Sequence, residues 1–248
     1  MKRMAFFVEG QTEQIFVNRL VRYMLGPKNT NIIQRRLRGG TNAPRQEITR
    51  HASLARRPDY EVLIIDCGAD NRVKSEMLEN LENLHENNYK FLIGLRDLYP
   101  LPLDELQGLS RGLRFLPPRL KNKVQRFEVV IAVREIETWI LSEKTHFQKI
   151  DKRLTPELIK QKLGINITAL NPLDSVHPAA DLDKIYKLIG QSYGKKFNQT
   201  AKIIHTLDIK QIMGPMREKI SGLNTLITVI EDFRALVDDD PNRDSDEE

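Results

Sequence analysis

Apolar and polar positions along the chain alternate between two kinds of run. Met4 to Val8 is an unbroken apolar stretch that stops at Glu9-Gly10. Phe16, Leu20 and Tyr23 follow at helical spacing, with Val17, Val21 and Met24 beside them. Gly26-Pro27 ends that helix, and Asn31 to Leu37 reads as a second strand. Arg38-Gly39-Gly40-Thr41-Asn42 reads as a flexible turn, and the segment beyond it as a helix with His51 on its surface. Val62 to Asp66 and Phe91 to Asp97 are two more apolar strands, each closing on a carboxylate. Between them Val73, Met77, Leu81 and Leu84 mark one face of a helix reaching about Asn87. A helix start is expected over Asp104 to Leu109, a strand over Phe127 to Val133 and a helix over Arg134 to Glu143.

Strands alternating with helices predict an α/β fold, with a mostly parallel, Rossmann-like sheet and helices on both faces. Beyond Ser142 the strand-like runs vanish. Helices are expected over Pro156 to Gly164, Asp181 to Gly190, Gln199 to Leu207 and Met216 to Leu236, with breaks at Pro172 and His177-Pro178. The chain therefore reads as an α/β unit over 1–143, a helical subdomain over 144–237 and an acidic, disordered tail over 238–248.

Composition narrows the class. Hydrophobic content of 40% and charged content of 29% suit a globular protein, and no apolar run approaches the roughly 20 residues that span a bilayer. The opening Met1-Lys2-Arg3 reaches Glu9 too soon for a secretory signal. A single cysteine, Cys67, excludes an intramolecular disulfide and a cysteine-based metal knuckle, so a reducing, cytoplasmic location is the expectation.

The formal net charge of +5 understates the basicity of the body. Setting the tail aside leaves 38 basic and 27 acidic residues, a net +11. Arg35, Arg36, Arg38, Arg45, Arg50, Arg56 and Arg57 share their segment with one acid, Glu47. Arg111, Arg114, Arg119, Lys121, Lys123 and Arg126 share theirs with none. A solvated face is the ordinary explanation of such runs. The lack of local acids favours a phosphate-facing surface, because guanidinium donors match phosphate oxygens. Arg35, Arg36, Arg38, Arg45 and Arg114 are thus candidate nucleic-acid contacts. Lys195, within Tyr193-Gly194-Lys195-Lys196, is a weaker one that an exposed helix end explains better.

The candidate chemistry lies in carboxylates at strand ends. Glu9, Asp66, Asp97 and Glu137 each stand at or just after an expected strand, and in a parallel sheet those ends share one edge. Carboxylates brought together repel, and a divalent cation relieves the repulsion. Magnesium, with manganese as an alternative, suits hard oxygen ligands and phosphate. Glu137 interrupts an apolar helix stripe made by Val133 and Ile140; a salt bridge to Arg134 or Arg96 is the plain alternative. Glu135 is expected to point outward and Trp139 to be core, and for Glu9 and Glu13 helix-start acids are the plain alternative.

Val8-Glu9-Gly10-Gln11-Thr12-Glu13 resembles the first motif of TOPRIM domains, the fold shared by topoisomerases, primases and overcoming-lysogenization-defect nucleases. Arg134-Glu135-Ile136-Glu137-Thr138-Trp139-Ile140-Leu141 resembles the later signature of a divergent TOPRIM-like family, often encoded beside ATPases in bacterial defence loci. The two matches span roughly the first 143 residues. The resemblance implies a magnesium-dependent nuclease acting on RNA or DNA, with Glu9, Asp97 and Glu137 catalytic and Asp66 supporting the metal. It also implies an ATPase partner, and because no Walker-type phosphate loop occurs in this chain any ATP hydrolysis would need that partner. One departure stands out. The family's later strand usually ends in an Asp-x-Asp pair, whereas Leu95-Arg96-Asp97 and Asp66-Cys67-Gly68 each keep one acid. That loss keeps open a non-catalytic module that binds nucleic acid or a partner, and a nucleotide phosphotransferase is a third reading.

Overall fold

The computed structural model describes residues 1–40, 43–171 and 174–236. The turn read at Thr41-Asn42, the break at Pro172 and the acidic tail lie outside these. The architecture is α/β. A six-stranded sheet is built from β1 (Lys2–Val8), β2 (Thr30–Arg38), β3 (Gln46–Ser53), β4 (Tyr60–Asp66), β5 (Tyr89–Asp97) and β6 (Arg126–Ala132). Its order is β3-β2-β4-β1-β5-β6, parallel throughout except for β3, which runs antiparallel to β2 at one edge.

The pleat sorts side chains by parity. Met4, Phe6 and Val8 face one core, while Ala5 and Phe7 face the other. The first core is covered by α1 (Gln11–Leu25), and the second by α2 (Val73–Glu86) and α3 (Leu106–Arg114). Both faces are buried, so these strands read as continuous apolar runs. Gly94 allows α2 to lie close on β5: a Cβ there would stand 2.9 Å from Met77 Sδ and from Val73 Cγ1.

The chain beyond β6 folds into α4 (Glu137–Ser142), α5 (His146–Ile150), α6 (Pro156–Leu163), α7 (Pro178–Lys187) and α8 (Phe197–Thr206). The short α9 (Ile209–Gln211) and α10 (Arg217–Lys219) then lead into α11 (Ser221–Ala235). These helices extend the first core rather than building one apart from the sheet. Trp139 packs edge-on against Phe16 at 5.5 Å, and Phe233 against Phe91 at 5.5 Å. Each such fully buried side chain contributes about 2 kcal/mol.

Two expectations are corrected. His51 lies on strand β3, not on a helix, and that strand is exposed along nearly its whole length. The helix expected from Arg134 begins only at Glu137, because Arg134 adopts a left-handed φ of 67° that a helix excludes.

Register fixes what meets at the carboxyl edge. Val8 stands level with Asp66 on one side and Leu95 on the other, and Asp97 stands level with Ala132. The connection after β1 crosses one face of the sheet and those after β4 and β5 cross the other. The edge around β1 is therefore a topological switch point, where open α/β sheets bind ligands.

Candidate metal centre

Three strand ends interlock through backbone donors. The Glu9 amide donates to Leu95 O (3.2 Å), and the Asp97 amide donates to Glu9 Oε2 (3.1 Å). The Ile136 amide donates to Asp97 Oδ1 (2.9 Å). The turn carrying Ile136 is itself tied to the end of β5, since the Leu98 amide donates to Ala132 O and the Tyr99 amide to Arg134 O, both at 2.9 Å. The left-handed Arg134 thus folds residues 133–136 back over Asp97.

That fold-back turns Glu135 inward as well as Glu137. Asp97, Glu135 and Glu137 can each present an oxygen within 4.8 Å of the others, a group able to hold a metal ion. The outward orientation expected of Glu135 assumed a helix that starts three residues later. Glu135 also accepts from the Ala179 amide (3.2 Å), which ties the centre to α7.

Glu137 is fully buried. Its Oε1 accepts from the Tyr193 hydroxyl at 2.9 Å and lies 3.0 Å from Lys195 Nζ. Its Oε2 is buried with no hydrogen-bond partner among the described residues. An orphaned carboxylate oxygen inside a protein is costly, and a cation beside Asp97 and Glu135 would satisfy it. The donor set, carboxylate oxygens throughout, fits a hard divalent ion.

The electrostatics agree. Burial, then the charges of Glu137 and Glu9, pushes the Glu13 carboxyl up to about 8. Burial followed by Glu13, Glu9 and Glu137 raises the Asp97 carboxyl well above its ordinary value. Burial also raises Glu9, against the opposing pull of the Asp97 amide. Burial alone would lower Lys195, but Glu137, Glu135 and Glu13 outweigh it and hold the ammonium charged. Glu13, only 4% exposed in the first turn of α1, is therefore a member of the cluster that its helix-start position concealed. Lys195 is no helix-end lysine: it precedes α8 with a left-handed φ of 53°, and the Gln11 side chain donates to its carbonyl at 3.0 Å. Neither Arg134 nor Arg96 forms the pair considered for Glu137; Arg96 bonds to Asp70 at 3.1 Å.

Asp66 shares the edge but not the cluster. Its buried carboxylate accepts from Arg36 Nε (3.1 Å), from Arg38 Nη1 (2.9 Å) and Nη2 (3.0 Å), and from the Gly68 amide (2.9 Å). Those donors occupy the group, so it does not join Asp97, Glu135 and Glu137.

The other arginines singled out are likewise met by carboxylates. Arg35 pairs with Glu47 (3.1 Å), Arg45 with Glu76 (2.7 Å) and Arg114 with Glu128 (2.9 Å). Glu47 comes from the same segment as Arg35, whereas Glu76 on α2 and Glu128 on β6 are brought in from farther along the chain.

No helix among the described residues is long and apolar enough to cross a membrane. No curated protein and no solved structure matches the chain. The family model described as Domain of unknown function (DUF4276) matches residues 8–229, from the end of β1 into α11, and so takes in every member of the carboxylate cluster. The chain belongs to the DUF4276 family.

Proposed function

We propose that this protein is a magnesium-dependent nuclease that hydrolyses RNA or DNA phosphodiesters, with manganese as an alternative ion. The observation that carries the reading is the buried, unpartnered Glu137 Oε2 beside Asp97 and Glu135. Asp97, Glu135 and Glu137 would hold the ion, which supplies Lewis-acid activation and neutralises charge gained by the phosphate. Glu9 positions Asp97 through the Asp97 amide. Tyr193 fixes the orientation of Glu137, and before the ion binds Glu13 holds a proton at neutral pH that spares the cluster one negative charge. Lys195, half-exposed at the rim, offers a positive charge to phosphate oxygens. The TOPRIM resemblance of the segments around Glu9 and Glu137 supports the same chemistry. It also supplies the cytoplasmic defence role with an ATPase partner.

A second reading is a non-catalytic binding module, favoured by the ion pair in which Lys195 already answers Glu137 Oε1 at 3.0 Å. One experiment separates the two. Wild type and Glu137→Gln are assayed for cleavage of single-stranded RNA and DNA with magnesium, manganese or chelator, alone and with a co-encoded ATPase, and melted under the same conditions. The nuclease reading expects cleavage to fall by at least about 100-fold in the variant, since even outer-shell partners of a metal are worth 10–100-fold. It also expects the metal-dependent rise in Tm to disappear. A wild type that neither cuts nor melts in a metal-dependent way is the binding module.

A further inference from the structure

At the carboxyl ends of β2 and β4 the same sheet edge carries a recess of opposite chemistry. It encloses about 430 Å3 between Gly39, Ala43 and Arg45 after β2 and residues 67–72 after β4. Arg38, Arg45, Arg72 and Asn71 line it together with Gly39 and Gly68, and no carboxylate is among its lining residues. We infer that this recess is a phosphate-binding subsite, and that its ligand is a phosphate group of the same strand whose scissile phosphate meets the carboxylates. The identity of that strand rests on the nuclease reading; the affinity for phosphate does not.

The guanidinium groups are fixed before any ligand arrives. Arg38 is held by both oxygens of Asp66. Arg45 is held by Glu76 (2.7 Å) and by the carbonyls of Gly39 (3.0 Å) and Cys67 (2.7 Å). Arg72 donates through Nη2 to Gly40 O at 2.6 Å, its one side-chain hydrogen bond among the described residues. A guanidinium has five donors, so Arg72 keeps most of its own for a ligand. Asp66 and Glu76 offset two of the three positive charges, and Arg72 carries the third. Groups already immobilised lose little further entropy on binding.

The turns are shaped around these side chains. Gly40 and Gly68 have φ of 98° and 80°, in the left-handed region. A Cβ at residue 40 would stand 2.7 Å from Arg72 Nη2, and one at residue 68 would stand 2.8 Å from Arg38 Nη1. The positive φ at both positions favours glycine, and its missing Cβ leaves room for the guanidinium beside each turn. The position suits a strand-bound ligand too: β4 and β5 flank β1, so their ends lie about 10 Å apart, two strand spacings. A strand of a few nucleotides covers both.

Arg72→Gln tests the inference with least harm to the fold, because Arg72 anchors only a carbonyl. Ala43→Glu places a carboxylate at the exposed rim and serves as an independent variant. Binding of a short single-stranded oligonucleotide and of a nucleoside monophosphate is measured against salt, with chelator present so that metal plays no part. Each variant is expected to weaken the oligonucleotide by about five- to ten-fold, and Arg72→Gln to reduce the salt slope by about 0.7, one phosphate contact on a single strand. A loss confined to the monophosphate keeps the subsite and overturns its assignment to a strand. Unchanged affinity and slope for both ligands in both variants overturns the subsite itself. A wild type that binds through this recess yet cuts nothing when metal and the co-encoded ATPase are both supplied keeps the subsite and removes the nuclease reading.

Discussion

The carboxyl edge of the sheet holds two fully buried carboxylates of opposite fate. Asp66, at the end of β4, receives two arginines and a backbone amide. Glu137, at the start of α4, has one oxygen answered by Tyr193 and Lys195 and the other by nothing among the described residues. Burial is the same, so burial does not mark a ligand. What distinguishes the two is unmet demand: a saturated acid is a structural strut, whereas a crowded acid with a free oxygen is where a cation gains most.

The largest test of that contrast is stability in the absence of metal. Asp66→Asn sets an amide NH2 against Arg36 and Arg38 and leaves their charges unanswered. Breaking a buried pair from one side costs about 3 kcal/mol at the low end, which fits arginines that are about one-third exposed. Glu137→Gln keeps an acceptor for Tyr193; it gives up the half-exposed Lys195 but removes a charge from a repulsive cluster, so its loss should be much the smaller. Urea unfolding of both variants in chelator measures the difference. Equal losses would mean that the two halves of the edge are electrostatically alike.

A smaller effect separates the halves by pH. Glu13 titrates at about 8 in the folded protein and near 4.5 when unfolded, so between those values the folded state binds the extra proton. Stability of the metal-free protein therefore falls as pH rises through this window, by at most about 1.4 kcal/mol per unit for each proton. Asp97 and Glu9 are raised too and add in the same sense. His146 works the other way. Its burial lowers it to about 4, so it costs stability as pH falls below its ordinary 6.5. From pH 6.5 to 8 the acids act without that opposition, and Tm should decline. Magnesium should abolish the decline, because it binds the deprotonated cluster and displaces its protons. A Tm independent of pH in chelator would show that the acids are not coupled.

Much of this arrangement is legible in the chain. The runs ending at Glu9, Asp66 and Asp97 are apolar because both sheet faces are covered, and their ends locate the edge directly. β3 is not legible: Gln46 to Ser53 is exposed along nearly its whole length and carries no period-two apolar signal. The cluster is legible only in part. Glu13 has the signature of any helix-start acid until Glu137 is folded over it. Glu135 turns inward because of one left-handed residue, Arg134, whose conformation no local preference dictates. The pairing of Asp66 with Arg36 and Arg38 spans some thirty residues and exists only because β2 lies beside β4 in register. Long-range partners, not missing motifs, account for what composition leaves out.

The smallest test asks whether basic charge counts by amount or by place. Arg114 and Arg72 are both arginines on the same body, and a general polyanion surface would use them alike. Arg114 projects from α3, with its side chain 56% exposed, and pairs with Glu128 at 2.9 Å on β6, away from the recess. Removing so exposed a partner costs less than about 1 kcal/mol. Arg114→Ala should therefore melt almost as the wild type does and bind a single strand with nearly unchanged affinity and salt slope, while Arg72→Gln loses one phosphate contact. The comparison is made side by side at low salt, where surface charge counts most. If Arg114→Ala weakens binding as much as Arg72→Gln, grip is spread over the basic surface and the recess has no privileged role.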